Sequence, residues 1–173
     1  LSIFLIIALF SHASVPSEAN FIRLEKTFKL NSDGSKEFRC NKILKIHSHP
    51  AVNSTYGETF IVYNPAYQKL IIHSSYTKMV DGTIVKTPDN AFNEVLPRYA
   101  SGATAYNNLK EMVVTHTGLE LGATIYLDYS IITNSDRNQQ LDIKEILQES
   151  SPVDECKITI IAPKDKHLSY QLT

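Results

Sequence analysis

A chain of 173 residues is long enough for one domain with a real core. Its formal net charge of -1 comes from interspersed charges of both signs, which leaves no basic footprint for nucleic acid or for an anionic membrane. Trp is absent, while nine Tyr and seven Phe accompany many Thr, Val and Ile, a bias that favours strands.

The chain opens on an apolar run, Leu1 to Phe10, followed by Ser11-His12-Ala13, the small-x-small pattern cut by signal peptidase. Ten residues fall well short of the ~20 needed to span a bilayer. Residues 1–13 are therefore expected to be the remnant of an export signal that has lost its initiator Met and basic region. The other readings of this run are an N-terminal core strand and the tail of an uncleaved anchor. Export implies a periplasmic or cell-envelope protein in an oxidising compartment, with no membrane attachment once the signal is removed. The rest, residues 20–173, is expected to form a single domain.

Period-two alternation dominates from there. In "FIRLEKTFKLN", Ile22, Leu24, Phe28 and Leu30 share one face, and Arg23, Glu25, Thr27 and Lys29 the other. Asp33-Gly34 suits a tight turn. In the next run Phe38, Cys40, Leu44 and Ile46 face one way, while Arg39, Asn41, Lys45 and His47 face the other, which makes a hairpin with one wet face. "ETFIVY" carries apolar residues on both faces, as a strand covered on both sides would. Asn64-Pro65-Ala66-Tyr67 interrupts the ladder, because Pro has no N–H to donate. "KLIIHSSYTKM" is a further strand, and Asp81-Gly82 turns the chain into the short "TIVKTP".

Residues 89–107 lack a sustained period and read as a long loop with one helical turn at Phe92 to Leu96. "LKEMVVTH" and "ATIYLDYSIIT" are strands around the Gly118 to Gly122 turn, the second with Ile125, Leu127, Tyr129 and Ile131 on one face. "SDRNQQ" is a polar loop. "LDIKEILQES" fits either a helix or a strand, and its neighbours favour a strand. "ECKITIIAP" places Cys156, Ile158 and Ile160 together. Eight or more short strands without alternating helices predict an all-β fold, an antiparallel two-layer sandwich with one long loop and at most a short helix.

No chemistry assembles from the residues. There is no G-x-S-x-G elbow, no H-E-x-x-H, no C-x-x-C and no phosphate-binding Gly-rich loop. Cys40 and Cys156 lie on the apolar phase of their strands, where a reactive thiolate is disfavoured. They read as buried small hydrophobes or, given export and an even count, as a disulfide. His47 and His49 share a strand face and offer two imidazoles to a metal, but a zinc site needs three or four ligands. Their face is the wet one. Carboxylates are scattered, and Asp128 sits on the polar face of its strand. Tyr56, Tyr63, Tyr67, Tyr76, Tyr99 and Tyr106 suit a stacking surface for sugars or a set of half-buried strand residues. The expectation is no catalytic, cofactor-binding or metal-binding residue and no cofactor.

The segments "YGETFIVYNPAYQKLIIHSSYTKMVDGTIVKTP", "AFNEVLP", "AYNNLKEMVVTHTGLELGATIYLDYSI" and "SPVDECKITIIAP", in this order, resemble the bacterial family of domain of unknown function 3857 from about Phe28 to the C-terminus. The resemblance implies an all-β sandwich placed before a transglutaminase-like domain of the Cys-His-Asp class in exported or envelope proteins. It supplies no catalytic residues, and neither Cys40 nor Cys156 sits at a helix start beside aromatic residues as such a nucleophile does. The expected function is thus a non-catalytic accessory module that positions a downstream transglutaminase-like or peptidase-like domain of the same chain, which would continue past Thr173. The alternative is a module binding an envelope polysaccharide, with an envelope peptide as a further partner class. A metal hydrolase built on His47 and His49 ranks behind both.

Overall fold

The computed structural model describes residues 3–10, 17–52, 56–100, 102–103, 108–135, 140–147 and 149–171. The strands are β1 (Ile3–Phe10), β2 (Ala19–Leu30), β3 (Lys36–Ile46), β4 (Glu58–Tyr63), β5 (Gln68–Lys78), β6 (Ile84–Lys86), β7 (Phe92–Val95), β8 (Lys110–Thr115), β9 (Thr124–Thr133) and β10 (Glu155–Ala162). Seven form one sheet in the order β1-β10-β2-β3-β9-β5-β6, and three form a second in the order β4-β8-β7. The all-β sandwich stands. Every pairing is antiparallel except β10 with β2, which runs parallel.

Turn chemistry sets the hairpins. Asp33 Oδ1 accepts from the Ser35 amide at 2.9 Å, and Asp81 Oδ1 from the Thr83 amide at 2.8 Å, each closing its strand pair through a side chain. Gly118, between β8 and β9, is required for a different reason. Its φ is +72°, and a Cβ there would lie 2.8 Å from the Val85 side chain of β6, so the turn and the hairpin touch where only Gly fits.

The two sheets meet along the inward rows of β9, β4 and β8. Leu127, Ile61 and Val114 are buried there, flanked by Leu70, Ile72, Tyr129, Ile131, Met112 and Phe92. A second cluster of Ala19, Phe21, Leu44, Ile46, Ala51 and Ile125 closes the end of the large sheet. The inward phase of β3 and β9 matches the alternation. In β2 it shifts, because the register slips between Phe21 and Arg23 and leaves Ile22 as the extra residue. That bulge turns Phe21 inward and leaves Ile22 38% exposed, the reverse of strict alternation.

Three further expectations change. β4 is covered on one face only: Thr59, Ile61 and Tyr63 point inward, while Phe60 is 55% exposed on the outer face of the small sheet. Phe92–Val95 is a strand rather than a helical turn, because β8 offers it a ladder from Phe92 opposite Val114 to Val95 opposite Glu111; short 3₁₀ turns flank it at Asp89–Ala91 and Arg98–Ala100. Residues 140–147 form no strand. Leu141, Ile143 and Glu145 are half-buried while Asp142, Lys144 and Ile146 are exposed, so the alternation is real but belongs to an extended strap. Lys26 on the inward row of β2 holds this strap through Glu145 (2.8 Å) and Glu149 (3.2 Å).

Finally, Ile3–Phe10 pairs with the free edge of β10, from Ile3 opposite Ala162 to Phe10 opposite Glu155. In this chain the run takes the place of an edge strand. The Ser11-His12-Ala13 pattern lies outside the described residues, as does Tyr106. Among the described residues, no helix is long and apolar enough to cross a membrane.

Candidate functional site

The inward row of β3 reads Phe38, Cys40, Lys42, Leu44, Ile46, so period two places a Lys in the interior between apolar neighbours. Lys42 reaches across to β4 and donates to Thr59 Oγ1 at 2.8 Å. The same oxygen lies 2.9 Å from Nε2 of His116, the residue that follows β8. The three side chains line a cavity of about 140 Å³ with Tyr56, Leu44 and Ile125. His116 is 6% exposed and Thr59 9% exposed.

Burial in this setting disfavours charge. It pushes the Lys42 amine below its ordinary value. Burial, with the Lys42 charge behind it, lowers the His116 imidazole to about 4, so His116 is neutral at pH 7. Its Nδ1 is buried without a hydrogen-bond partner among the described residues. A hydroxyl beside a neutral imidazole resembles a nucleophile with its base, but a working pair needs a third group to orient the base. Among the described residues nothing holds Nδ1, so the cluster is a set of donors in a partly open pocket.

The outward face of the large sheet carries a second polar cluster. Arg39 binds Asp128 with two parallel hydrogen bonds, Nε to Oδ1 at 2.9 Å and Nη2 to Oδ2 at 2.6 Å. That fork holds the Asp128 carboxyl below the usual carboxylate range. Ser130, fully buried, donates to Glu37 at 2.8 Å and meets His73 Nε2 at 2.8 Å. His73 is the extra residue of a bulge in β5. One row further along, Tyr76 and Tyr126 stack at 4.6 Å with planes 10° apart. They border a shallow cleft of about 240 Å³ that also includes Arg23, Asn41 and Ser74.

The residues singled out from sequence do not converge. Cys40 and Cys156 are both buried, as their phase required, and both are free thiols. The disulfide expectation fails on geometry. Cys156 is level with Leu24 and Cys40 with Lys26, so β2 lies between them, and two strand spacings of ~4.8 Å exceed the reach of a disulfide. Burial raises both thiols, which removes them as nucleophiles. His47 bonds Asn20 at 2.6 Å on the exposed rim, and no group of three metal ligands occurs among the described residues. Tyr63 donates to Glu94, and Tyr56 pairs with the buried Ser151. Sequence reading missed Lys42, Thr59 and His116. The signal for Lys42 was its inward phase between Cys40 and Leu44, whereas Thr59 and His116 become neighbours only when the two sheets pack.

A solved structure described as a "putative protease from Parabacteroides distasonis ATCC 8503" superposes with a TM-score of 0.84 at 63% sequence identity. The match covers 87% of this chain and 30% of that one, so this chain spans less than a third of its neighbour's length. No curated protein matches it. The family model described as "Domain of Unknown Function with solved-structure structure (DUF3857)" matches residues 32–173, and the chain belongs to that family.

Proposed function

We propose that this β-sandwich is a non-catalytic accessory module of an exported, peptidase-related protein, holding a transglutaminase-like or peptidase-like catalytic domain of the same polypeptide in place. The observation that carries this reading is the outer face of the small sheet. Phe60, Val62 and Val113 form an apolar row there, with Phe60 55% exposed, and Val95 lies on the same face across Glu111 from Val62. An exposed apolar row of this kind suits a contact between domains. Two further facts support it: the neighbour described as a protease is much longer than the stretch this module matches, and the described residues bring together no activated nucleophile. The apolar N-terminal run with Ser11-His12-Ala13 supports export to the periplasm or envelope. In the longer protein, Phe60→Asp is expected to leave the melting of the module unchanged while speeding protease cleavage between module and remainder. Unchanged cleavage contradicts the positioning role.

The Tyr76–Tyr126 stack favours one second reading, a site for an envelope saccharide. Sugar rings pack on aromatic faces, and Arg23, Asn41 and Ser74 supply polar partners around the cleft. Binding to a panel of envelope glycans that is lost in Tyr126→Ala would establish it, and no binding across the panel removes it.

A further inference from the structure

The cavity between the sheets has an unbalanced set of hydrogen-bonding groups. The Thr59 hydroxyl offers one proton and two lone pairs. The Lys42 ammonium can only donate to it, which uses one lone pair. The arrangement that satisfies the hydroxyl has Thr59 donate to Nε2 of His116, and a neutral imidazole then carries its proton on Nδ1. That N–H is buried without a partner. Lys42 keeps at least one further N–H in either charge state, and among the described residues no carboxylate forms an ion pair with it. Glu149, an acid whose field reaches Lys42, is engaged by Lys26 at 3.2 Å. The Tyr56 hydroxyl is taken by Ser151. The acid in the cavity wall is Glu58, an exposed residue whose carboxylate accepts from Thr115 Oγ1 at 3.3 Å.

Among the described residues, then, His116 Nδ1 has no acceptor and Lys42 bonds Thr59 alone, beside a pocket of about 140 Å³ whose outer wall carries Glu58 and Ser150. Buried donors left unpaired are costly, so sites of this kind are filled by water or by an ion. The space exceeds the ~10–15 Å³ that admits a single water, and apolar walls from Leu44 and Ile125 suit the carbon end of a small organic acid. We propose that this cavity is a binding site for a small carboxylate group, with its oxygens accepting from Lys42 Nζ and His116 Nδ1 and its carbon against Leu44 and Ile125. Charge-assisted bonds from an amine and an imidazole to one carboxylate are the strong class of hydrogen bond. The carboxylate can belong to a free acid or to the C-terminus of a peptide; the recognising chemistry is the same.

The test is a titration of the full 173-residue chain at pH 7 and constant ionic strength with sodium formate or sodium acetate, using sodium chloride as control. Imidazole nitrogen signals of His116 and the side-chain carbon signals of Lys42 are followed by NMR. Saturable shifts with both carboxylates and none with chloride are expected, with binding at least about tenfold weaker in Lys42→Met, the loss of one charge-assisted bond. If Lys42→Met does not fold, Thr59→Val, which removes the hydroxyl that fixes both donors, replaces it. A tripeptide with a free terminal carboxylate that displaces formate, where its amide does not, assigns the source to chain ends; no displacement assigns it to free acids. Shifts that are linear in concentration, equal with chloride or unaffected by the variant overturn the proposal and leave the cavity to water.

Discussion

Lowering the pH from 7 to 4.5 should destabilise this fold through one residue, His116. Burial, followed by the Lys42 charge, holds its imidazole to about 4 in the folded chain. In an unfolded chain His titrates near 6.5. The folded value is the lower one, so above pH 6.5 neither state is protonated and the residue has no effect. Between 6.5 and 4 the unfolded chain binds a proton that the folded chain refuses, and stability is lost as pH falls through that window. The separation from about 6.5 to about 4, at ~1.36 kcal/mol per pH unit, amounts to roughly 3 kcal/mol, of which about 2 kcal/mol is lost by pH 4.5. Stopping there avoids Asp128, whose contribution disappears only below the ordinary Asp range because Arg39 lowers its carboxyl. Urea denaturation of the wild type and His116→Gln at pH 7, 6, 5 and 4.5, in buffers free of carboxylates, reads the effect. The wild-type free energy should fall by about 2 kcal/mol relative to the variant across the series. Parallel loss in both proteins refutes the buried, neutral assignment of His116.

Gly118→Ala should cost about 1–3 kcal/mol in thermal or urea unfolding, because the new Cβ meets Val85 at 2.8 Å and φ is +72°; a cost below about 0.5 kcal/mol would mean that the turn and hairpin separate freely. Asp128→Asn should lose about 1–2 kcal/mol, discounted because Arg39 is half exposed, and most of that loss should persist in 0.5 M salt since Asp128 is 8% exposed. Export of the longer protein should yield a mature N-terminus at Ser14, or at Asn20 if cleavage follows Ala19; an intact N-terminus on the exported product, read by mass spectrometry, contradicts the signal reading.

Strand positions were legible in the sequence wherever alternation coincided with a ladder, as in β3 and β9. What remained hidden depended on partners. At the β2 bulge the adjacent apolar pair Phe21-Ile22 leaves the inward residue undecided until β3 supplies a register. Residues 141–147 alternate as a strand does, yet their half-buried row is held by Lys26 and not by a neighbouring strand. Phe92–Val95 has too few residues to show a period, and β8 makes it a strand. For the site, only Lys42 left a trace, as a charged residue on an apolar phase. Thr59 and His116 are 57 residues apart and reach each other through sheet packing.

The most direct measurement of the central claim is turnover by the isolated chain. Incubated with peptide, ester and glycoside probes, the purified 173-residue protein should give rates no greater than buffer, because Nδ1 of His116 has no orienting group, burial raises both thiols, and no metal cluster forms among the described residues. Turnover that survives repurification and disappears in Thr59→Val, His116→Gln or Cys40→Ala would contradict the accessory role.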